Sequence, residues 1–587
     1  LTVNTTGTTT FSAGITAASV TTNTGGTTAI NGGTITTTGA QTYNDAVTLG
    51  AATTLTSSGS GNINLASTVN GAQTLTINTA GTTTFGGIVG GTTALTSVTT
   101  DAAGSVAING GAITTTGAQT YSDGVTLGAA TTLSASSVTT GSTFNASTYA
   151  ATLTTDAIAL GGNVSGSGAL TIQPKTAATT IAIGSAATGD LKLDDTELGY
   201  LVDGFSSITI GGTSGTGAIA VAYTTPYTFT DPLTIQSKST SGGGAITATS
   251  ALNTGTNSLT ISTYGAVSVA AITSGALAIT GNGITLNGDV TTSGTQTYTG
   301  AVTLGADVTL ASTGNSSAGN AISLSSTVNG AKAFTVNAGA GAITLSGAIG
   351  ATTNLTSLSL TTSHATGITL SGNVTTTGSQ AYNGKTVLAA TPITLTTTNS
   401  DVSFGGTLNG NAANRALTIA AGTGNATFTG AVGGGTALGA VTITAATTTN
   451  SSTWVGSSTL GITGNAVING AISGITSLSI SGTTSLGANV TTTAVGGQTY
   501  TGAVTITGSS VTLDSTSGNG PVLFSSTVNS AANVGNTASA ANPLTVSAGS
   551  GNVTFTGVVG GATNGALGAL TVNTTGTTTF SAGITAA

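Results

Sequence analysis

An all-β fold, a right-handed parallel β-helix, is what three features of this sequence predict. Charge and helix formers are nearly missing, apolar and small polar residues alternate over short stretches, and whole blocks recur at long intervals. Charged residues make up 3% of the 587, against roughly a quarter in an ordinary soluble domain. Disorder goes with low hydrophobicity and high charge, whereas this chain is 38% hydrophobic with a mean hydropathy of +0.36. It carries enough Val, Ile and Leu for a thin core. Helix formers are scarce, with one glutamate (Glu197) and no Met, and six prolines leave strands uninterrupted.

The alternation is of the period-2 kind that marks a half-buried strand. Leu75-Thr76-Ile77, Phe334-Thr335-Val336, Leu417-Thr418-Ile419 and Leu544-Thr545-Val546 each send two apolar side chains to one face. Val47, Leu49, Val125, Leu127, Val302 and Leu304 are expected inside with Leu75 and Ile77, and Thr48, Thr76 and Thr126 outside. Asn31-Gly32, Asn70-Gly71, Asn109-Gly110, Asn329-Gly330 and Asn409-Gly410 read as tight corners, because Asn-Gly tolerates positive φ.

The recurrence is specific. TTTGAQTYNDAVTLGA from Thr36 returns as TTTGAQTYSDGVTLGA from Thr114 and TTSGTQTYTGAVTLGA from Thr291, with weaker copies from Thr375 and Gly496. Its core pairs are Gln41/Tyr43, Gln119/Tyr121, Gln296/Tyr298, Gln380/Tyr382 and Gln498/Tyr500. A second block, STVNGAQTLTIN from Ser67, has relatives from Ser326, Gly406 and Ser526, and a phenylalanine recurs at Phe11, Phe85, Phe428, Phe555 and Phe580. Short strands and frequent corners suit coils of roughly 20 residues whose core forms only by stacking. That predicts about 30 coils at ~4.8 Å each, a rod of roughly 140 Å. A tandem of β-sandwiches would need wider cores and more aromatic anchors than 4% supplies.

Three regions follow: solenoid repeats over 1–185, a divergent acidic insert over 186–240 that stays part of the solenoid, and repeats over 241–587. Residues 570–587 restart the eighteen letters of 1–18, which predicts one super-repeat of a longer array with no cap at either end. The insert DLKLDDTELGYLVDGF holds Asp190, Asp194, Asp195, Glu197 and Asp203. Asp194 or Asp195 is expected to cap a short, solvated surface helix carrying Glu197 in its first turn, with Asp203-Gly204 ending it. Asp194, Asp195, Glu197 and Asp203 are the weak calcium candidates, since they lack the ligand spacing of a calcium loop.

No catalytic residue, cofactor or thiolate metal site is expected. Gly378 to Thr386 departs from a phosphate-binding loop at Ser379, Gly212 to Gly217 reads as a turn, and His364 and Trp454 stand alone of their kinds. The six cations are scattered from Lys175 to Arg415, which speaks against nucleic acid and against a lyase groove. No apolar run is long enough for a membrane helix. Each repeat tyrosine is expected to pack over the coil with its hydroxyl reaching solvent or backbone, sugar binding through an exposed ring being the other reading.

The TTTGxQTYxxAVTLGA and STVNGAxxLTVN blocks resemble those of giant bacterial surface proteins built from β-strand repeats, in the style of filamentous haemagglutinins and large adhesin passengers. LDDTELGYLVDGFSSITIGG resembles an insert recurring in such proteins. The resemblance covers nearly the whole chain and implies export, a right-handed β-helix and an extracellular, cell-surface or matrix role, and brings no catalytic residue. The expected function is therefore structural: a fibre or stalk segment that self-associates end to end and laterally. Adhesion to carbohydrate or a cell-surface receptor is the alternative. Ice binding is the third, disfavoured because threonine runs lie in blocks some 80 residues apart rather than once per coil.

Overall fold

The computed structural model describes residues 1–240, 242–312, 319–531, 541–563 and 565–586. The chain is a parallel β-solenoid of about 27 turns, with 52% of residues in strand and 1% in helix. It divides into two compact units, 1–285 and 286–587. In the first, three strands make a coil and each pairs in parallel with a strand one coil on. Thr2–Val3 pairs with Val20–Thr22, Thr8–Phe11 with Thr27–Ile30, and Ile15–Ala17 with Thr34–Thr37. The same three-ladder winding runs through the second unit. Residues 1–17 and 570–586 both form strand and turn, Phe580 stacking on Phe555 at 4.9 Å. Ala587, and the Ser526 block beyond residue 531, lie outside the described residues.

The alternation holds as expected. Val47, Leu49, Leu75, Ile77, Val125, Leu127, Val302 and Leu304 are all buried at 3% exposure or less, and Thr48 and Thr126 are exposed with Thr76 half-buried. At ~25 cal/mol per Å² of apolar surface, such burial stabilises by roughly 1.5–3 kcal/mol per side chain, offset by ordering entropy.

Three expectations need correction. Of the Asn-Gly corners, only Gly71 (φ 127°) and Gly330 (φ 128°) take positive φ. Gly32 and Gly110 are instead pressed against the coil before, where a Cβ would lie 2.3 Å from the Ala13 carbonyl and 2.1 Å from that of Gly87. Asn409-Gly410 lies at the end of a strand, Leu408–Gly410. The asparagine side chains at Asn70, Asn329 and Asn409 also bind the next coil. Each Oδ1 accepts two of its backbone N–H groups, from Thr92/Thr93, Thr352/Thr353 and Gly435/Thr436.

Second, outward threonines do stack once per coil. One ladder runs Thr34, Thr54, Thr76, Thr99, Thr120, Thr139, and another Thr132, Thr152, Thr171, Thr209, Thr234, Thr260. The block spacing hides them because coils of unequal length still align one outward position in each.

Third, the insert is docked rather than solvated. Its helix, Asp195–Gly199, is capped by Asp194 in a full capping box with Glu197, but it ends at Tyr200 and not at Asp203-Gly204. Leu201 bridges to Val164 and draws the chain back into the sheet, and Leu198 is fully buried with Leu201 nearly so. The irregularity also begins earlier than residue 186, at the strand Ile181–Ile183.

Candidate functional site

Two constellations concentrate polar chemistry: the Gln-x-Tyr blocks and the acidic insert. The five tyrosines Tyr43, Tyr121, Tyr298, Tyr382 and Tyr500 are completely buried, which withdraws them from any sugar. Burial also pushes each phenol well above its ordinary pKa. Their hydroxyls reach neither solvent nor backbone. Each donates to Oε1 of the glutamine two residues before, at 2.8–3.0 Å. That glutamine, itself fully buried, donates onward to main-chain carbonyls. Gln41 Nε2 reaches Ile35 O at 3.2 Å and, one coil on, Thr56 O at 2.9 Å. Gln119 reaches Ile113 O and Ser134 O in the same way. A threonine completes the relay: Thr37 Oγ1 takes a third contact from Gln41 and donates to Gly39 O, as Thr115 does with Gln119 and Gly117.

The block therefore ties the corner together: the buried amide and phenol satisfy one another, and the amide adds a second donor to carbonyls that also take a main-chain N–H, Ser134 O from Thr115 and Thr396 O from Thr376. The signal is the spacing Thr-x-Gly-x-Gln-x-Tyr, whose residues suggest packing or an exposed sugar-binding ring but not a relay. In the fifth copy the threonine position is lost, and Gln498 keeps the carbonyls of Val490 and Asp514 alone.

Successive copies do not line up. The ladder of Tyr43 runs through Leu65, Phe85 and Ile108 to Leu127, so Tyr121 lies on the strand just before that ladder. In the second unit one coil displays all three positions. Gln380–Asn383 carries Tyr382; Thr386–Leu388 carries Leu388, on the ladder Tyr298–Leu324–Leu345–Leu370–Leu388. Ile393–Thr396 carries Leu395, on the ladder Leu395–Ile419–Ile443–Ile462–Ile480–Tyr500. Within each unit a copy thus falls one strand short of a whole number of coils after the one before, and Tyr298, Tyr382 and Tyr500 occupy three different faces. Aromatic side chains fill two of these ladders, Tyr382–Phe404–Phe428 and Tyr500–Phe524–Phe555, with ring centroids 4.8–5.3 Å apart and nearly parallel. Trp454 ends the first edge-on, 5.0 Å from Phe428.

The acids of the insert do not converge on one point. Asp194 accepts from the N–H groups of Thr196 and Glu197. Asp195 accepts from Ser185 N, Thr224 N and the Thr224 hydroxyl. Glu197 accepts from Asp194 N and, across the fold, Leu160 N at 2.9 Å. Asp190 holds Thr180, and Asp156 holds Thr176 and Thr179. The Thr224 hydroxyl and then the Ser185 amide hold Asp195 down to about 2. Burial pushes Glu197 up despite its two amides. Burial likewise works on Asp156, but its threonine partners outweigh it and hold the group low. Asp203 lies beside Asp231, apart from the others, and burial and then the Asp203 charge push Asp231 up. Of the four calcium candidates, Asp194, Asp195 and Glu197 each hold a different stretch of backbone, and Asp203 lies beside Asp231. Among the described residues no group of three metal-ligating side chains comes together.

The other candidates resolve as turns and core. His364 is exposed and its Nδ1 accepts from Thr366 N. Gly215 donates to Gly212 O in a turn. Ser379 and Lys385 flank the strand Gln380–Asn383, with no helix after it. A shallow depression of about 530 Å³ is lined by Thr180, Thr188, Asp190 and Thr247 among others. Set against protein-family models, curated proteins and solved structures, the chain matches none.

Proposed function

We propose that this chain is a structural segment of a bacterial cell-surface fibre, stalk or matrix, a spacer without catalytic chemistry. The observation that carries the reading is the placement of the Gln-x-Tyr blocks. The most repeated residues of the sequence are consumed inside the core, and successive copies turn onto different faces. A recognition face repeated with the sequence would need its copies on one side; a winding module does not. The extracellular bacterial setting rests on the block resemblance and on the nearly uncharged surface, which offers little charge repulsion against bundling.

In-frame deletion of residues 41–118 tests it. Gln119 then follows Ala40 in an unchanged local sequence, and the remaining coils are expected to refold with the particle shortened by ~18 Å, about 3⅔ coils. Unchanged cell attachment and unchanged glycan-array signal accompany that shortening. Loss of attachment on deletion, or tight binding of one glycan, would favour the adhesin instead. The two threonine ladders support a second reading, ordering of water on a regular hydroxyl file. An ice-recrystallisation assay decides it, with inhibition lost in Thr76→Val/Thr99→Val.

A further inference from the structure

The acidic segment contains a reversal in the winding order. Elsewhere among the described residues of the first unit a strand lies on the coil that precedes it. Here Ile181–Ile183 pairs in parallel with Leu191–Leu193 on one side and Ile219–Val221 on the other, and Leu191–Leu193 packs against Ala157–Leu160. The spatial order is therefore 157–160, 191–193, 181–183, 219–221, with the later strand 191–193 laid beneath the earlier one. The seven residues from Gly184 to Asp190 make the return, far fewer than the dozen or more a parallel connection ordinarily takes. Gly184 permits it: its φ is +98°, and a Cβ there would lie 2.3 Å from the Ala222 carbonyl.

We propose that this reversal is a mechanical stop, at which progressive unravelling of the solenoid halts. A regular solenoid peels from its edge, one coil at a time, because the next strand in sequence is always the edge strand. At the reversal it never is. Peeling from the C-terminal side frees 219–221, 207–212 and the helix, and then requires 191–193 to leave from between 157–160 and 181–183. Peeling from the N-terminal side frees 157–160 and 169–173, and then requires 181–183 to leave from between 191–193 and 219–221. Either way an interior strand must break two interfaces together.

The carboxylates are distributed as such a stop requires. Asp195 joins Ser185 in the return loop to Thr224 beyond the last strand. Glu197 ties the helix to Leu160, and Tyr227 donates to Leu198 O at 2.6 Å. Asp156 and Asp190 hold the two approaches at Thr176 and Thr180. Elsewhere aspartates act singly, Asp45, Asp101, Asp289 and Asp307 each taking one amide of a neighbouring coil.

The chain has no cysteine, so optical-trap handles can be placed at will on the full 587-residue protein. Handles at Ser136→Cys and Ser258→Cys, both exposed, span the reversal; handles at Thr38→Cys and Ser136→Cys span regular coils. The regular span is expected to lengthen in steps of ~70 Å, one coil of about 20 residues each. Peeling toward the reversal is expected in the same steps, and the strands 181–183 and 191–193 to release together at higher force. In Asp195→Asn/Glu197→Gln the force falls while the joint release remains, because strand order makes it. Release of the reversal at the regular force would overturn the proposal, and so would separate release of 181–183 and 191–193 in the double variant.

Discussion

The coils carrying Gln41 and Tyr43 and the acidic segment from 156 to 231 solve the same problem by different chemistry. Both must hold polar groups in place where the chain turns between strands. The regular coils do it chiefly with neutral side chains, a buried amide and two hydroxyls in a relay that repeats wherever the same corner recurs, and with single aspartates such as Asp45 and Asp101 on one amide each. The acidic segment, where winding is out of order and no corner repeats, does it with carboxylates aimed at single amides. A charge-assisted bond to a backbone N–H is roughly twice as strong as a neutral one, and it needs no second partner. It is also titratable. Charge is concentrated where winding is irregular: seven of the fourteen acids lie between 156 and 231.

The largest effects are expected where a relay or a docking contact is cut. Leu198→Ala opens a cavity beneath the helix and should cost about 3 kcal/mol, read as lost amide protection at Leu160 and over 194–204 while residues 20–77 keep theirs. Gln119→Leu leaves the Tyr121 hydroxyl buried without its partner, at roughly 1–3 kcal/mol, while Ser134 O keeps the Thr115 N–H. Adding Tyr121→Phe should restore part of that loss, since it removes one stranded group; a further loss in the double variant would mean the relay is not what holds the corner. Hydrogen exchange is the right readout for both, because a long solenoid does not unfold in one step. Asn70→Ala removes the acceptor of the Thr92 and Thr93 amides and should cost about 1 kcal/mol, confined to that turn.

Much of this was legible in the residues. Period-2 alternation gave every inward aliphatic tested, and the acids of LDDTEL gave the capped helix and its first turn. The Gln-x-Tyr relay was not, because Tyr43 and Gln41 share a strand face and nothing in their spacing says whether that face turns inward. The end of the helix was missed because Leu201 stops it through a bridge to Val164, a contact 37 residues away. The winding reversal has no local signal at all: IAIGSAATGDLKL reads as two ordinary strands and a turn. The threonine ladders escaped for a related reason, since coils of unequal length conceal a constant ladder.

A finer contrast lies within the repeats. Asp45 and Asp123 occupy the same place in two nearly identical blocks. Asp45 accepts from Gly26 N at 3.0 Å and faces the Thr28 hydroxyl. Asp123 is as deeply buried, and burial and then the charge of Asp101 push its pKa up. A raised folded-state pKa means the ionised carboxylate is disfavoured in the fold, so stability falls as pH rises through that value. Asp123→Asn should therefore raise the thermal midpoint at pH 7 slightly and leave it unchanged at pH 3, the smallest effect of the series.

The contrast between neutral and charged solutions is tested most directly by amide exchange at pH 7, 4 and 2, corrected for the intrinsic rate. Asp195 and Asp156, held low, stabilise the fold above the ordinary aspartate range, and that contribution is lost as pH falls toward about 2 for Asp195. Glu197 and Asp231, pushed up, act in the opposite sense, and the fold gains as they protonate. Residues 176–237 should then exchange slightly more slowly at pH 4 than at pH 7, and faster at pH 2 than at pH 4. Residues 46–77, held by amides and hydroxyls, should keep one level of protection throughout. Loosening of 46–77 before 176–237, or equal loosening of both, would contradict the account.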